Sequence, residues 1–149
     1  MKNTRRFRLT FLLSAIFVPL TLSASGVLAA PKPMTAAAPV KVAMAAKFGD
    51  ILATPKNQAI YYWTPEKGGK VKCTSSCAAQ WPPVLVGKNA MIPHSIKGLM
   101  GTFGEVTRPD GTHQLTFDKW PLYTFVADKA PLQVLCDGVN GWHVFRVMH

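Results

Sequence analysis

The side chains able to do chemistry are few and scattered. Cys73 and Cys77 are separated by three residues, and Cys136 stands apart from them. In an oxidising compartment a Cys73–Cys77 pair reads by default as a disulfide. Closing so short a loop contributes about 2 kcal/mol or less, so it would fix local shape more than global stability. The rival is a redox dithiol, but the spacing is longer than Cys-x-x-Cys and no βα pattern surrounds it. Cys136 is the odd cysteine. It could be buried and inert, a free thiol, an intermolecular bridge, or a partner for Cys73 or Cys77.

Metal chemistry has its own candidates. The histidines are His94, His113, His143 and His149, with Met148 beside the last. Thioether and imidazole ligands suit copper. The histidines lie in different segments without ligand spacing; His113, just after a turn, is expected to face solvent. His143, Met148 and His149 are the residues that a copper-handling reading would use. Otherwise no cofactor is implied. Hydrolytic chemistry has no support, because the chain lacks a nucleophile elbow, a zinc-protease motif and paired carboxylates. The seven acids occur singly, as expected of turns and surface pairs. The expectation is a protein that is not an enzyme, with no catalytic residue.

The N-terminus sets the compartment. Lys2, Arg5, Arg6 and Arg8 precede a largely apolar run from Leu9 to Leu22, and small residues follow to Ala30. That order is a secretory signal, with cleavage expected after Ala29. The run is short of the roughly 20 residues that span a bilayer. The surroundings of Arg5-Arg6 favour the general secretory route over twin-arginine export. No cysteine lies at the cleavage region, so a soluble periplasmic or secreted protein is expected rather than a lipid-anchored one. Of the 17 basic residues 4 fall in the signal, which leaves 13 against 7 acids, a net charge of +6 rather than +10. The remaining lysines are scattered. A weak attraction to anionic membrane or cell-wall surfaces is possible on charge grounds. Nucleic acid is not expected without a basic stripe interleaved with aromatics.

The elements that must position these groups read as short strands. Residues 30–39 are rich in Ala and Pro and form a flexible leader, and residues 40–149 suit one domain. Val40–Met44 alternates, and Ile51-Leu52 and Ala59–Trp63 flank the turn sequence Pro55-Lys56-Asn57-Gln58. Phe103–Thr107 and Thr112–Phe117 flank Arg108-Pro109-Asp110-Gly111, a hairpin signal. Pro121–Val126 and Trp142–Met148 read as further strands. Trp81-Pro82-Pro83 suggests an edge or turn within Ala78–Val86. At most one helical turn is expected, near Ser95–Met100. The fold class is mainly β, a small sandwich or barrel-like domain.

The two halves also resemble each other. Ile60–Lys67 matches Leu122–Lys129 in the pattern apolar, Tyr, any, aromatic, any, any, acid, Lys. Tyr61 leads Trp81 by 20 residues and Tyr123 leads Trp142 by 19, and Cys73 and Cys136 fall one residue out of step. Three matches in order predict two tandem repeats, about residues 40–87 and 102–149, packed face to face with a pseudo-two-fold relation. Tyr61 and Trp63, like Tyr123 and Phe125, point to one face of a strand. They supply core aromatics or, in the rival reading, stack on a ligand. Glu66 and Asp128 lie just past the strands, where each could accept backbone N–H bonds or pair with a lysine.

These residues resemble a family of secreted repeats of unknown function, predicted lipoproteins with a Y-x-[FWY]-x-x-D motif. The motif stands here as Tyr61-Tyr62-Trp63-Thr64-Pro65-Glu66 and Tyr123-Thr124-Phe125-Val126-Ala127-Asp128. The segment Cys73-Thr74-Ser75-Ser76-Cys77-Ala78-Ala79-Gln80-Trp81-Pro82-Pro83 belongs to the likeness, which covers about Val40 to Val147. It departs in Glu66, in Cys136 and in lacking a lipidation cysteine. The resemblance implies an exported module and assigns no chemistry. The expected function is a non-enzymatic β-rich binding or interaction module. The alternative is an accessory in extracytoplasmic redox or copper handling through Cys73, Cys77 and Cys136 or the Met/His groups.

Overall fold

The structure, a computed structural model, describes residues 39–148. The expected signal peptide at 1–29, all but the last residue of the leader, and His149 lie outside the described residues. Eight short strands and two short helical turns follow one another: β1 (Lys41–Ala45), β2 (Gly49–Ala53), β3 (Tyr61–Trp63), a 3-10 turn (Thr64–Glu66), α1 (Ser76–Gln80), β4 (Leu85–Val86), β5 (Phe103–Thr107), β6 (His113–Phe117), β7 (Trp120–Pro121) and β8 (Trp142–Val144). All pairings are antiparallel. The sheets are β1–β2, β3–β8 and β4–β6–β5 with β7 on β6, and they do not close into a barrel. Among the described residues no helix is long and apolar enough to cross a membrane.

The β5–β6 hairpin forms where its turn chemistry predicts. Asp110 Oδ1 accepts the Thr112 N–H at 2.9 Å and its hydroxyl at 2.6 Å. Those bonds hold the Asp110 carboxyl below its ordinary range, the hydroxyl contributing most. Gly111 supplies the positive φ of 79° that closes the turn.

The two copies are interleaved rather than simply packed face to face. Tyr61 and Tyr123 lie opposite one another, and each donates its N–H to the other's carbonyl, at 2.8 and 2.9 Å. From this point β3 of the first copy pairs with β8 of the second, Tyr61 against Val144 and Trp63 against Trp142. The reciprocal exchange sets Tyr123 against Pro83. It gives Thr124 N–H to the Pro82 carbonyl at 2.9 Å and Val126 N–H to that of Gln80 at 3.1 Å. Bond after bond has its counterpart. Phe145 donates to Ile60 as Val84 does to Leu122, and Leu52 donates to Phe145 as Leu115 does to Val84. The pseudo-two-fold relation therefore lives in the hydrogen bonding as well as in the sequence.

Three local expectations are corrected. No helix forms at Ser95–Met100; the α-helix is Ser76–Gln80. The Cys73–Cys77 disulfide ties its first turn, and Trp81-Pro82-Pro83 then ends it, because a proline N lacks the hydrogen that a further turn needs. The strand expected over Pro121–Val126 shrinks to Trp120–Pro121 plus single bridges at Tyr123. His113 is not solvent-facing: its side chain keeps only 20 % exposure, with Nδ1 3.4 Å from Glu105.

Candidate functional site

The motif residues converge at the centre of the molecule. Each motif tyrosine donates to the acid of the other copy: the Tyr61 hydroxyl to Asp128 Oδ2 at 2.6 Å, the Tyr123 hydroxyl to Glu66 Oε2 at 2.8 Å. Each acid also caps the chain that follows it. Glu66 Oε1 accepts the N–H groups of Lys72 and Cys73 at 2.6 and 2.7 Å. Asp128 Oδ1 accepts that of Leu135 at 3.1 Å. Of the two roles open to the acids, backbone acceptance is the one adopted. The equal offset makes Leu135, not Cys136, the counterpart of Cys73, which explains why the cysteines fall one residue out of step. Both tyrosine hydroxyls are fully buried and pushed well above their ordinary pKa, by desolvation first and the neighbouring carboxylate second.

The ring system repeats the exchange. Phe125, Trp81, Trp142 and Trp63 form one continuous stack, with centroid separations of 4.2, 3.8 and 5.4 Å and interplanar angles of 20°, 3° and 9°. Tyr61 meets Trp81 edge-on at 5.2 Å, and Tyr123 meets Trp142 likewise at 5.2 Å. The chain clears Thr64 beside this stack only because Gly141 has no side chain; with φ at 81°, a Cβ there would come within 2.5 Å of Thr64 Oγ1. Tyr61 and Tyr123 are buried in the core, and Trp63 and Phe125 are the half-exposed ends of the stack.

Burial raises the Asp128 carboxyl above its ordinary range, against the lowering effect of its Tyr61 and Leu135 bonds. A carboxyl whose folded pKa exceeds its unfolded one binds more protons folded than unfolded between the two values. Stability from this group therefore falls as pH rises through that window and returns on acidification. Wild type should gain stability relative to Asp128→Asn as pH drops from neutral toward the ordinary aspartate value. Urea unfolding of both proteins across that range checks it, and a pH-independent difference would count against the assignment.

The cysteines are resolved as one staple and one thiol. Cys73 and Cys77 are bonded, with Cα atoms 5.2 Å apart, and Cys136 is free. Cys136 and Cys77 line one small cavity beside the Trp81–Trp142 stack. Burial, then the charges of Asp128 and Asp137, push the Cys136 thiol up. Thiolate is the reactive form, so iodoacetamide at neutral pH should label Cys136 at least about tenfold more slowly in the native protein than in urea. Equal rates would show that the environment does not hold the proton.

No local pattern announces the buried arginine. Arg108, read as a turn residue, is 4 % exposed. It donates to Gln114 Oε1 at 2.6 Å and to the Cys73 carbonyl at 2.9 Å. Arg108 and Glu66 thereby grip Cys73 from its two sides, carbonyl and N–H. Gln114, itself buried, passes the network on to the Leu122 carbonyl at 2.8 Å.

Outside this symmetric centre lies a groove of about 490 Å3. Its floor comes from the other face of β3 and β8. Tyr62 packs on Trp120 at 4.7 Å, on Phe145 at 5.3 Å and on His143 at 5.5 Å, the last nearly parallel at 24°. Asp137 stands at the rim, accepting the Val144 N–H at 3.0 Å and pairing with Arg146. His143 and Met148 both line the groove, whereas His94 and His113 do not. Met100, Tyr62, Trp120, Asp137 and Arg146 also line it and were not singled out from sequence. Only the alternation around Trp142 and Val144, both buried, could have placed His143 outward.

Residues 104–146 match a family model described as a secreted repeat of unknown function. The secreted-repeat match covers most of the second copy, including β5 from its second residue, β6 to β8 and the Tyr123–Asp128 segment. Comparisons with curated proteins and with solved structures return no match. The secreted-repeat description agrees with the resemblance read from the residues and carries no activity.

Proposed function

We propose that this chain is an exported, soluble, non-enzymatic binding module, freed by cleavage after Ala29, that recognises its ligand through the Tyr62–Trp120–His143 groove. The observation that carries the reading is an asymmetry. The pseudo-two-fold core accounts for Tyr61, Trp63, Glu66, Tyr123, Phe125 and Asp128, each with a counterpart. The groove has none. By the hydrogen-bond correspondence, Thr124 stands where Tyr62 does, Pro82 where His143 does and Val84 where Phe145 does. Phe145 also packs on the core through Phe117, but Tyr62, Trp120 and His143 keep part of their ring surface open to the groove, where a ligand can stack on them. The redox alternative through Cys73, Cys77 and Cys136 is less well supported, because the free thiol is held protonated.

The test uses 1-anilinonaphthalene-8-sulfonate, whose rings suit the aromatic floor and whose sulfonate suits Arg146. One probe should bind per chain, and Trp120→Ala should weaken it about tenfold, a loss of about 1.4 kcal/mol. Unchanged binding by Trp120→Ala, with the near-ultraviolet spectrum of the core stack intact, would remove the groove from the proposal.

A further inference from the structure

All of the methionines among the described residues are exposed: Met44 65 %, Met91 74 %, Met100 73 % and Met148 81 %. Methionine is ordinarily a gap-filler of cores, and a thioether left in water gains nothing from burial. Two of the four, Met100 and Met148, come from distant segments and both line the groove that His143 lines. His143 is already positioned there. Its ring lies on Tyr62, and its Nδ1 is 3.9 Å from Asp137 Oδ1. That separation is too long for a direct hydrogen bond, and the Asp137 oxygens are taken by the Val144 N–H and Arg146.

We infer that Met100, Met148 and His143 form a binding site for copper(I) in this groove, an inference that rests on the groove being the recognition surface. Two thioethers and one imidazole are neutral and soft. They select a soft monovalent ion over zinc, magnesium or calcium, which favour thiolate, carboxylate or water. Asp137 is paired with Arg146, and Asp118, which also lines the groove, accepts the Thr102 N–H, so the discrimination against hard divalent cations comes from the thioethers and not from an absence of charge. The Tyr62 and Trp120 rings form an apolar wall on one side of the groove. The high exposure of both thioethers lets them swing onto an incoming ion without disturbing the core.

The full mature protein is titrated anaerobically with copper(I) against bathocuproine disulfonate. A Cys136→Ser background with the disulfide intact removes the competing thiol. One copper(I) per chain is expected, with sulfur and nitrogen ligands in X-ray absorption. The double variant Met100→Leu/Met148→Leu keeps the apolar bulk and should lose about 10- to 100-fold in affinity, the scale of a damaged metal site. His143→Ala should lose at least as much. Undiminished binding in either variant, with the native near-ultraviolet spectrum retained, would overturn the site. So would an absence of stoichiometric copper while the anilinonaphthalene probe still binds and still responds to Trp120→Ala; that result would leave the groove's recognition role standing.

Discussion

Trp142→Ala should destabilise the domain by about 4 kcal/mol, within the range for emptying a buried aromatic site. The ring is 5 % exposed, lies 3.8 Å from Trp81 and parallel to it, and takes Trp63 on its other face and Tyr123 on its edge. Truncation therefore breaks three aromatic contacts besides leaving a cavity, and each such pair is worth about 0.5–1.5 kcal/mol beyond its area. It also cuts the two copies apart, because Trp142 belongs to the second and stacks on rings of the first. A domain of this size has a total stability of about 5–15 kcal/mol, so a large share is lost. The urea midpoint should fall steeply with little change in slope. Two controls separate the stack from burial alone. Trp63→Ala, at the half-exposed end, should cost clearly less than Trp142→Ala. Trp142→Phe should retain much of the stability, because a smaller ring still fills part of the space between Trp81 and Trp63. An equal loss for Trp63→Ala and Trp142→Ala would mean that the centre of the stack has no special weight.

How much of this was legible depended on whether the cause was local. The β5–β6 hairpin was, because Arg108-Pro109-Asp110-Gly111 carries its own turn chemistry and the flanking residues alternate. The motif's split between Tyr61 and Trp63 on one face and Tyr62 on the other follows from strand geometry alone. The short helix was not legible. Five residues, Ser76–Gln80, have no period to read, and the turn is set by a disulfide and by the prolines after it. The reciprocal pairing was not legible either. Within one copy, Tyr61 and Glu66 look like natural partners, five residues apart. The exchange between copies exists only once Tyr61 and Tyr123 have met across the pseudo-two-fold relation. Arg108 was hidden for the opposite reason: its position in a turn is local, but its burial comes from Gln114 and Cys73. The groove was partly legible, through His143 and Met148, and incomplete because Met100 arrives from a loop with no pattern of its own.

Glu66→Ala should cost about 4 kcal/mol, comparable to the loss of Trp142. Glu66 is completely buried and accepts three hydrogen bonds, from Lys72 N–H, Cys73 N–H and the Tyr123 hydroxyl. Alanine strands all three donors, and an unsatisfied buried donor costs about 1–3 kcal/mol. It also removes the acid that holds the N–H of Cys73, the residue whose carbonyl takes the buried Arg108 guanidinium. Glu66→Gln keeps the shape and one acceptor oxygen but turns an amide N–H toward a donor, so an intermediate loss is expected. The charge contribution is isolated by a double-mutant cycle of Glu66→Gln with Arg108→Met. If the acid balances the arginine, the double variant should recover part of the summed losses, with a coupling of about 0.5–3 kcal/mol. Strict additivity would reduce Glu66 to a hydrogen-bond acceptor and leave Asp110, 3.7 Å from Arg108 Nε, as the carboxylate that faces the buried arginine. The symmetric position offers the comparison. Asp128 has one backbone donor where Glu66 has two, and no arginine is bonded to Leu135 among the described residues. Asp128→Ala should therefore cost less than Glu66→Ala. The longer side chain in the first copy is then explained by its load: two adjacent N–H groups to reach, and a buried cation beside the same peptide.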